Sequence, residues 1–167
     1  MKSCSGSEPI NRKAVGRCYP SHFFKSMNDS IFLPTMPDSV QAMPDSELDK
    51  LSVLALAHVG DGVYELLVRT MLCNRGIGKV SDLHRQTVSY VCAPAQAKAI
   101  KKIMPMLTEK ETQMFKRGRN SKMHAAPQKA TVGEYHAATG LETMFGYLYL
   151  KGQYARIGQL FRAIMEE

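Results

Sequence analysis

Residues 131–150 read TVGEYHAATGLETMFGYLYL, and this stretch decides the fold. Thr131 and Glu134 stand at the spacing of a capping box, in which the threonine side chain takes the N3 backbone N–H and the glutamate reaches back to the cap. The spacing predicts a helix that opens at Thr131 and runs to about Leu150, with Gly152 suited to its C-terminal cap. From Thr139 onward nearly every residue is apolar or small, a pattern expected of a helix buried on all sides. Glu142 breaks it. A carboxylate among aliphatic and aromatic groups loses hydration, and its ionised form needs a cation or hydrogen-bond donors. No Lys or Arg lies within four residues of it.

A second acid sits in the same kind of surroundings. Asp61 follows the apolar run LSVLALAHVG (51–60) and precedes GVYELLV, again with no Lys or Arg within four residues. A divalent metal would satisfy both carboxylates. The plainer alternative, for either residue alone, is an acid that caps a neighbouring helix or points to solvent.

Outward from these two stretches the chain reads as helix after helix. Ser46 with Asp49 resembles a weak capping box, and Glu47 to Val59, apolar almost all round, predicts a buried helix. A separate helix is expected over Val63 to Leu72, ending at Asn74 and Gly76. Ser81 is placed to cap a helix through Val91, and Pro94 divides it from AQAKAIKKIM. Thr108 with Glu111 forms another capping box, opening a helix to about Phe115, after which KRGRNSKMHAAPQKA reads as a loop. Tyr154, Ile157, Leu160, Phe161 and Ile164 share one face of a last amphipathic helix. No strand alternation and no internal repeat is present. The fold class is all-α.

At 167 residues the chain has length for one domain with a real core. Residues 1–44 differ from the rest: they hold Pro9, Pro20, Pro34, Pro37 and Pro44, five of the eight prolines, and predict a disordered N-terminal extension ahead of a domain at 45–167. Met27, Met36 and Met43 each offer an alternative start to the protein. The net charge of +7 suggests an anionic partner, with nucleic acid ahead of a membrane surface. Cys4, Cys18, Cys73 and Cys92 are scattered, with no C-x-x-C pair and no zinc spacing, which fits a reducing cytosol. No apolar run approaches the roughly 18–20 residues that span a bilayer, and the polar start lacks a signal-peptide core. A soluble, cytoplasmic protein with no membrane partner is expected.

Taken together, these segments resemble the catalytic domain of ribonuclease III, and most closely the Mini-ribonuclease III family, which lacks a separate double-stranded-RNA-binding domain. LALAHVGDGVYE (54–65) is similar to the family's first signature, and TGLETMFGYLYL (139–150) to its second. VSDLHRQTVSYVCAPAQA (80–97) resembles its Leu-His segment and the Ala-x-Ala-Gln helix, and KRGRNSK (116–122) its basic loop. The resemblance covers 47–165, with four motifs in order. It implies a helical endonuclease domain that works as a two-fold symmetric homodimer, each subunit cutting one strand. The implied reaction is Mg²⁺-dependent hydrolysis of double-stranded RNA, in maturation of precursor 23S ribosomal RNA and on the ribosomal particle.

The residues suit that chemistry. Mg²⁺ prefers hard oxygen ligands, is held by one or two carboxylates and keeps several waters. It can supply both an activated nucleophile and charge stabilisation. Asp61 and Glu142 match the family's metal-holding, catalytic carboxylates. The wider ribonuclease III family places two further acids here, where this chain has Ala57 and Thr139. That leaves one-metal and two-metal sites both open. Glu65, at i+4 from Asp61, serves either as an additional acid or, more simply, as a surface partner of Arg69.

Lys116, Arg117, Arg119, Asn120 and Lys122 cluster with no acid among them, and as a mobile basic loop they suit the phosphates of duplex RNA. Without the resemblance the same run reads as a solvated charge cluster. His84 and Gln96 match family positions but carry no chemical warrant of their own. Tyr147 and Tyr149 read as core or interface residues. Two other readings stand beside the nuclease: a non-catalytic double-stranded-RNA or ribosome-binding module, motivated by the missing acids, and a helical adaptor for a protein partner.

Overall fold

The computed structural model describes residues 42–121 and 130–166. All regular structure among them is helical: α1 (Asp45–Leu48), α2 (Val53–Asn74), α3 (Val80–Val91), α4 (Ala93–Ile103), α5 (Glu109–Arg119), α6 (Val132–Leu150) and α7 (Tyr154–Met165). A 3-10 turn at Met104–Met106 joins α4 to α5. Most of the expected extension, 1–44, lies outside the described residues. At its end, the Met43 backbone N–H donates to the Leu150 carbonyl at 2.7 Å and the Met43 side chain packs on the core. No helix among the described residues is long and apolar enough to cross a membrane.

The stretch quoted first supplies the hub. α2, α4, α5 and α7 all pack against α6, which explains why its sequence has no polar stripe. Both halves of its capping box form, Glu134 N–H to Thr131 Oγ1 at 3.2 Å and Thr131 N–H to Glu134 Oε2 at 2.9 Å. Its other end closes in a Schellman motif: Gln153 N–H reaches Leu148 O at 2.8 Å and Gly152 N–H reaches Tyr149 O at 2.9 Å. Gly152 takes φ +74°, a backbone conformation that disfavours other residues.

The box at Thr108 also forms, Glu111 N–H to Thr108 Oγ1 at 3.3 Å and Thr108 N–H to Glu111 Oε2 at 2.8 Å. Glu111 is only 3% exposed, and Arg156 of α7 clamps it, Nε to Oε1 at 2.8 Å and Nη2 to Oε2 at 3.0 Å. One carboxylate thus caps α5 and ties α7 to it.

Four local expectations change. The separate helices at 47–59 and 63–72 are a one-turn α1 followed by one unbroken α2, whose cap is Ser52 rather than Ser46; Ser52 Oγ accepts from Ala55 N–H at 3.0 Å. Gly60 and Gly62 stay helical, the burial of Gly60 against α6 offsetting the roughly 1 kcal/mol that a helical glycine costs. α2 is not buried all round either, since Leu54 is 54% and Leu66 52% exposed. α3 begins at Val80 with no side-chain cap.

The fourth change affects the basic segment. α5 continues to Arg119, so Lys116, Arg117 and Arg119 lie on its last helical turn and Asn120 is its C-cap. Gly118 holds that turn against α6, where an added Cβ would stand 2.3 Å from Thr143 Oγ1. Cations at a helix C-terminus are also favoured by the helix dipole.

Candidate active site

The site is built where α2 crosses α6 with almost no side chain between them. A Cβ on Gly60 would stand 1.7 Å from the Glu142 carbonyl oxygen, and one on Gly146 would stand 1.9 Å from the Leu56 carbonyl oxygen. Backbone therefore meets backbone, and glycine is required at both contacts. The residue after Gly60 is Asp61, and the carbonyl that Gly60 touches belongs to Glu142. The crossing brings the two acids, 81 positions apart in the chain, into electrostatic contact.

Their environments differ. Asp61 is exposed on α2 and Glu142 is half-buried on α6. Burial, and then the Asp61 charge, push the Glu142 carboxyl up to about 7. Partial burial, and then the Glu65 charge, raise Asp61 as well, while His58 pulls it slightly back. Neither acid forms a salt bridge among the described residues. Such a pair is short of positive charge. Among the described residues no three His, Cys, Asp or Glu side chains gather into a ready-made cage. One exposed and one half-buried carboxylate suit a hydrated hard cation such as Mg²⁺, which needs no all-protein cage.

The neighbours fill in the picture. Glu65 takes the plainer of its two roles, accepting from Arg69 Nε at 3.0 Å. Ala57 and Thr139 are both buried, and Thr139 Oγ1 donates to Tyr135 O at 3.1 Å. Gln96, which the sequence left without a role, is buried on the first turn of α4 beside Glu142. Its amide acts on that carboxyl against the effect of burial, although neither amide atom reaches hydrogen-bond geometry with any partner among the described residues.

The basic segment divides. Lys116, Arg119 and Asn120 are exposed, whereas Arg117 is half-buried and donates Nη2 to the Leu51 carbonyl at 2.8 Å. Lys116, Arg117 and Asn120 line an open depression of about 520 Å³ with Lys110 and Asp49. Lys122 lies outside the described residues. The end of α5 packs on Gly140 and Thr143, which flank Glu142, so this cationic turn is fixed to the segment of α6 that carries the acid.

Comparisons with known proteins identify the family of the chain. Residues 54–153 match the ribonuclease III domain family. The Mini-ribonuclease 3 of Symbiobacterium thermophilum is 48% identical over 113 residues, covering 68% of this chain and 87% of its own length. That of Enterococcus faecalis is 44% identical over 113 residues, covering 66% and 86%. An X-ray crystal structure of a Fusobacterium nucleatum protein superposes with a TM-score of 0.63 at 31% identity, over 70% of this chain and 93% of that one. The chain belongs to the ribonuclease III family, among its short Mini-ribonuclease 3 members, and is an endoribonuclease of the ribonuclease III type.

Proposed function

We propose that the protein hydrolyses double-stranded RNA with Mg²⁺ held by Asp61 and Glu142, working as a homodimer in the cytoplasm on precursor 23S ribosomal RNA, on or near the ribosomal particle. The observation that carries this reading is the meeting of two uncompensated carboxylates across the Gly60–Gly146 crossing. When bound, the cation supplies an activated water and stabilises charge on the phosphoryl and leaving oxygens. Asp61, exposed on α2, and Glu142, half-buried on α6, would hold the ion, and a positive charge beside Glu142 would favour its ionised form.

Lys116, Arg119 and Asn120 at the end of α5, with Lys122 beyond it, take phosphates of the duplex to either side of the cut. Arg117 belongs to the same group by charge, and its bond to Leu51 makes it the anchor of that turn. The subunit interface in this reading runs along α2. Leu54 and Leu66, about three helical turns apart on that helix, are exposed, and a two-fold contact using them would set two copies of the site near one another. α6, the other apolar helix, is used up inside the fold.

The test is Asp61→Asn in the purified protein, with precursor ribosomal RNA, with and without Mg²⁺, mapping the new ends. The variant is expected to keep its helical content and RNA affinity and to lose cleavage. Equal cutting by variant and parent overturns the assignment. Retained RNA binding by the parent, with no Mg²⁺-stimulated cleavage of any duplex, identifies a binding module instead.

A further inference from the structure

Gln96 is 1% exposed, and both atoms of its amide, Oε1 and Nε2, lack a hydrogen-bond partner of good geometry among the described residues. No other side chain among the described residues is left with two orphaned buried atoms. Leaving a buried donor or acceptor unsatisfied costs about 1–3 kcal/mol. Leucine or methionine would fill similar space without that cost. The position of the amide suggests what it is for. Gln96 stands where the first turn of α4 packs on α6, beside Glu142, and its near-complete burial keeps it from touching RNA.

We propose that Gln96 is a positioning residue for the cation site: its Nε2–H is reserved for one oxygen of the Glu142 carboxylate in the ligating state, leaving the other oxygen to face the ion. The inference rests on the reading of Asp61 and Glu142 as the cation's ligands. In the cation-free chain the Gln96 amide stands beside the Glu142 carboxyl without reaching hydrogen-bond geometry. Ligation would fix the carboxylate in one orientation, and in that orientation the amide gains its partner. The cost of the orphan is borne by the free protein and removed in the bound one. A ligand shifts an equilibrium by its differential affinity for the two states, so this difference strengthens cation binding. Hydrogen-bonding partners just outside the ligands commonly act this way, and losing one typically weakens metal binding about 10–100-fold.

The test uses the full chain without RNA and Mn²⁺ as an octahedral, oxygen-seeking probe. Free Mn²⁺ is followed by electron paramagnetic resonance at a pH where Glu142 is ionised, and melting curves are taken with and without the ion. Gln96→Leu is expected to melt at the same or a higher temperature than the parent when metal-free, yet to bind Mn²⁺ about 10–100-fold more weakly. Gln96→Met, unbranched and of similar length, should do the same if leucine fits poorly. Metal-free melting and affinity falling together in both variants, or Mn²⁺ bound by both as tightly as by the parent, overturns the role of Gln96. Glu142→Gln separates the two layers of the claim. If it binds Mn²⁺ as the parent does, the ligand assignment itself fails; if it loses the ion while the Gln96 variants keep it, only the inference about the amide fails.

Discussion

Glu142 is the group whose protonation the fold controls most directly. In the folded chain its carboxyl is pushed up to about 7, against an ordinary value of 4.5. The native state therefore keeps a proton that the unfolded chain has already released between those values. Its contribution to stability is full below about 4.5 and is lost as pH rises through about 7. Metal-free protein should melt at progressively lower temperature from about pH 5 to about pH 8, and Glu142→Gln should flatten much of that slope. Thermal melts across pH check this; an unchanged slope in the variant places the titration elsewhere. Asp61 is raised too, so a residual slope in the variant belongs to it. Both acids were legible in the sequence because a charge inside an apolar run is conspicuous. Gln96 was not. An amide among the alanines of APAQAKAI has no local signature, and its isolation is created by the surface of α6, 46 positions away in the chain.

At the scale of elements, reciprocal local bonds were the easiest features to read. The boxes at Thr108–Glu111 and Thr131–Glu134 are each completed within four residues, so their spacing alone fixed two helix starts. The continuity of α2 could not be read that way. Gly60 and Gly62 look like a break until α6 arrives to use the missing side chain of Gly60, while a side chain at Gly62 would meet nothing within 4 Å. The end of α5 was misjudged for the same reason, because Gly118 is a contact with Gly140 and Thr143 rather than a turn. Gly60→Ala should be severely destabilising, beyond the roughly 1–3 kcal/mol of ordinary overpacking, because backbone rather than a flexible side chain must give way. Chemical denaturation checks it, and a loss under about 1 kcal/mol would show that α2 and α6 can slide. Arg156→Ala should cost about 3–5 kcal/mol by leaving Glu111 buried without a cation, held only by the Thr108 cap. The same titration measures that loss, and Glu111→Gln together with Arg156→Ala should recover part of it.

For the whole molecule, order along the chain carried most of the information. Four motifs in sequence located the domain, and the match over 54–153 covers all of them. Assembly is another matter, since a two-fold contact is written as one patch that must meet its own copy. In the dimeric reading the exposed Leu54 and Leu66, about three turns apart on α2, both take part in that contact. Leu54→Asp with Leu66→Asp should halve the mass seen by sedimentation, leave the helical content intact, and turn paired cuts of a duplex into nicks on one strand. A double variant that sediments like the parent moves the interface elsewhere. The bare crossing of α2 and α6 has one more consequence. The spacing of the acids is inherited from two peptide chains in van der Waals contact, so it cannot stretch as the surrounding hydrophobic packing loosens. Substitutions that erode the interior should lower the temperature at which this protein fails well before they blur where it cuts.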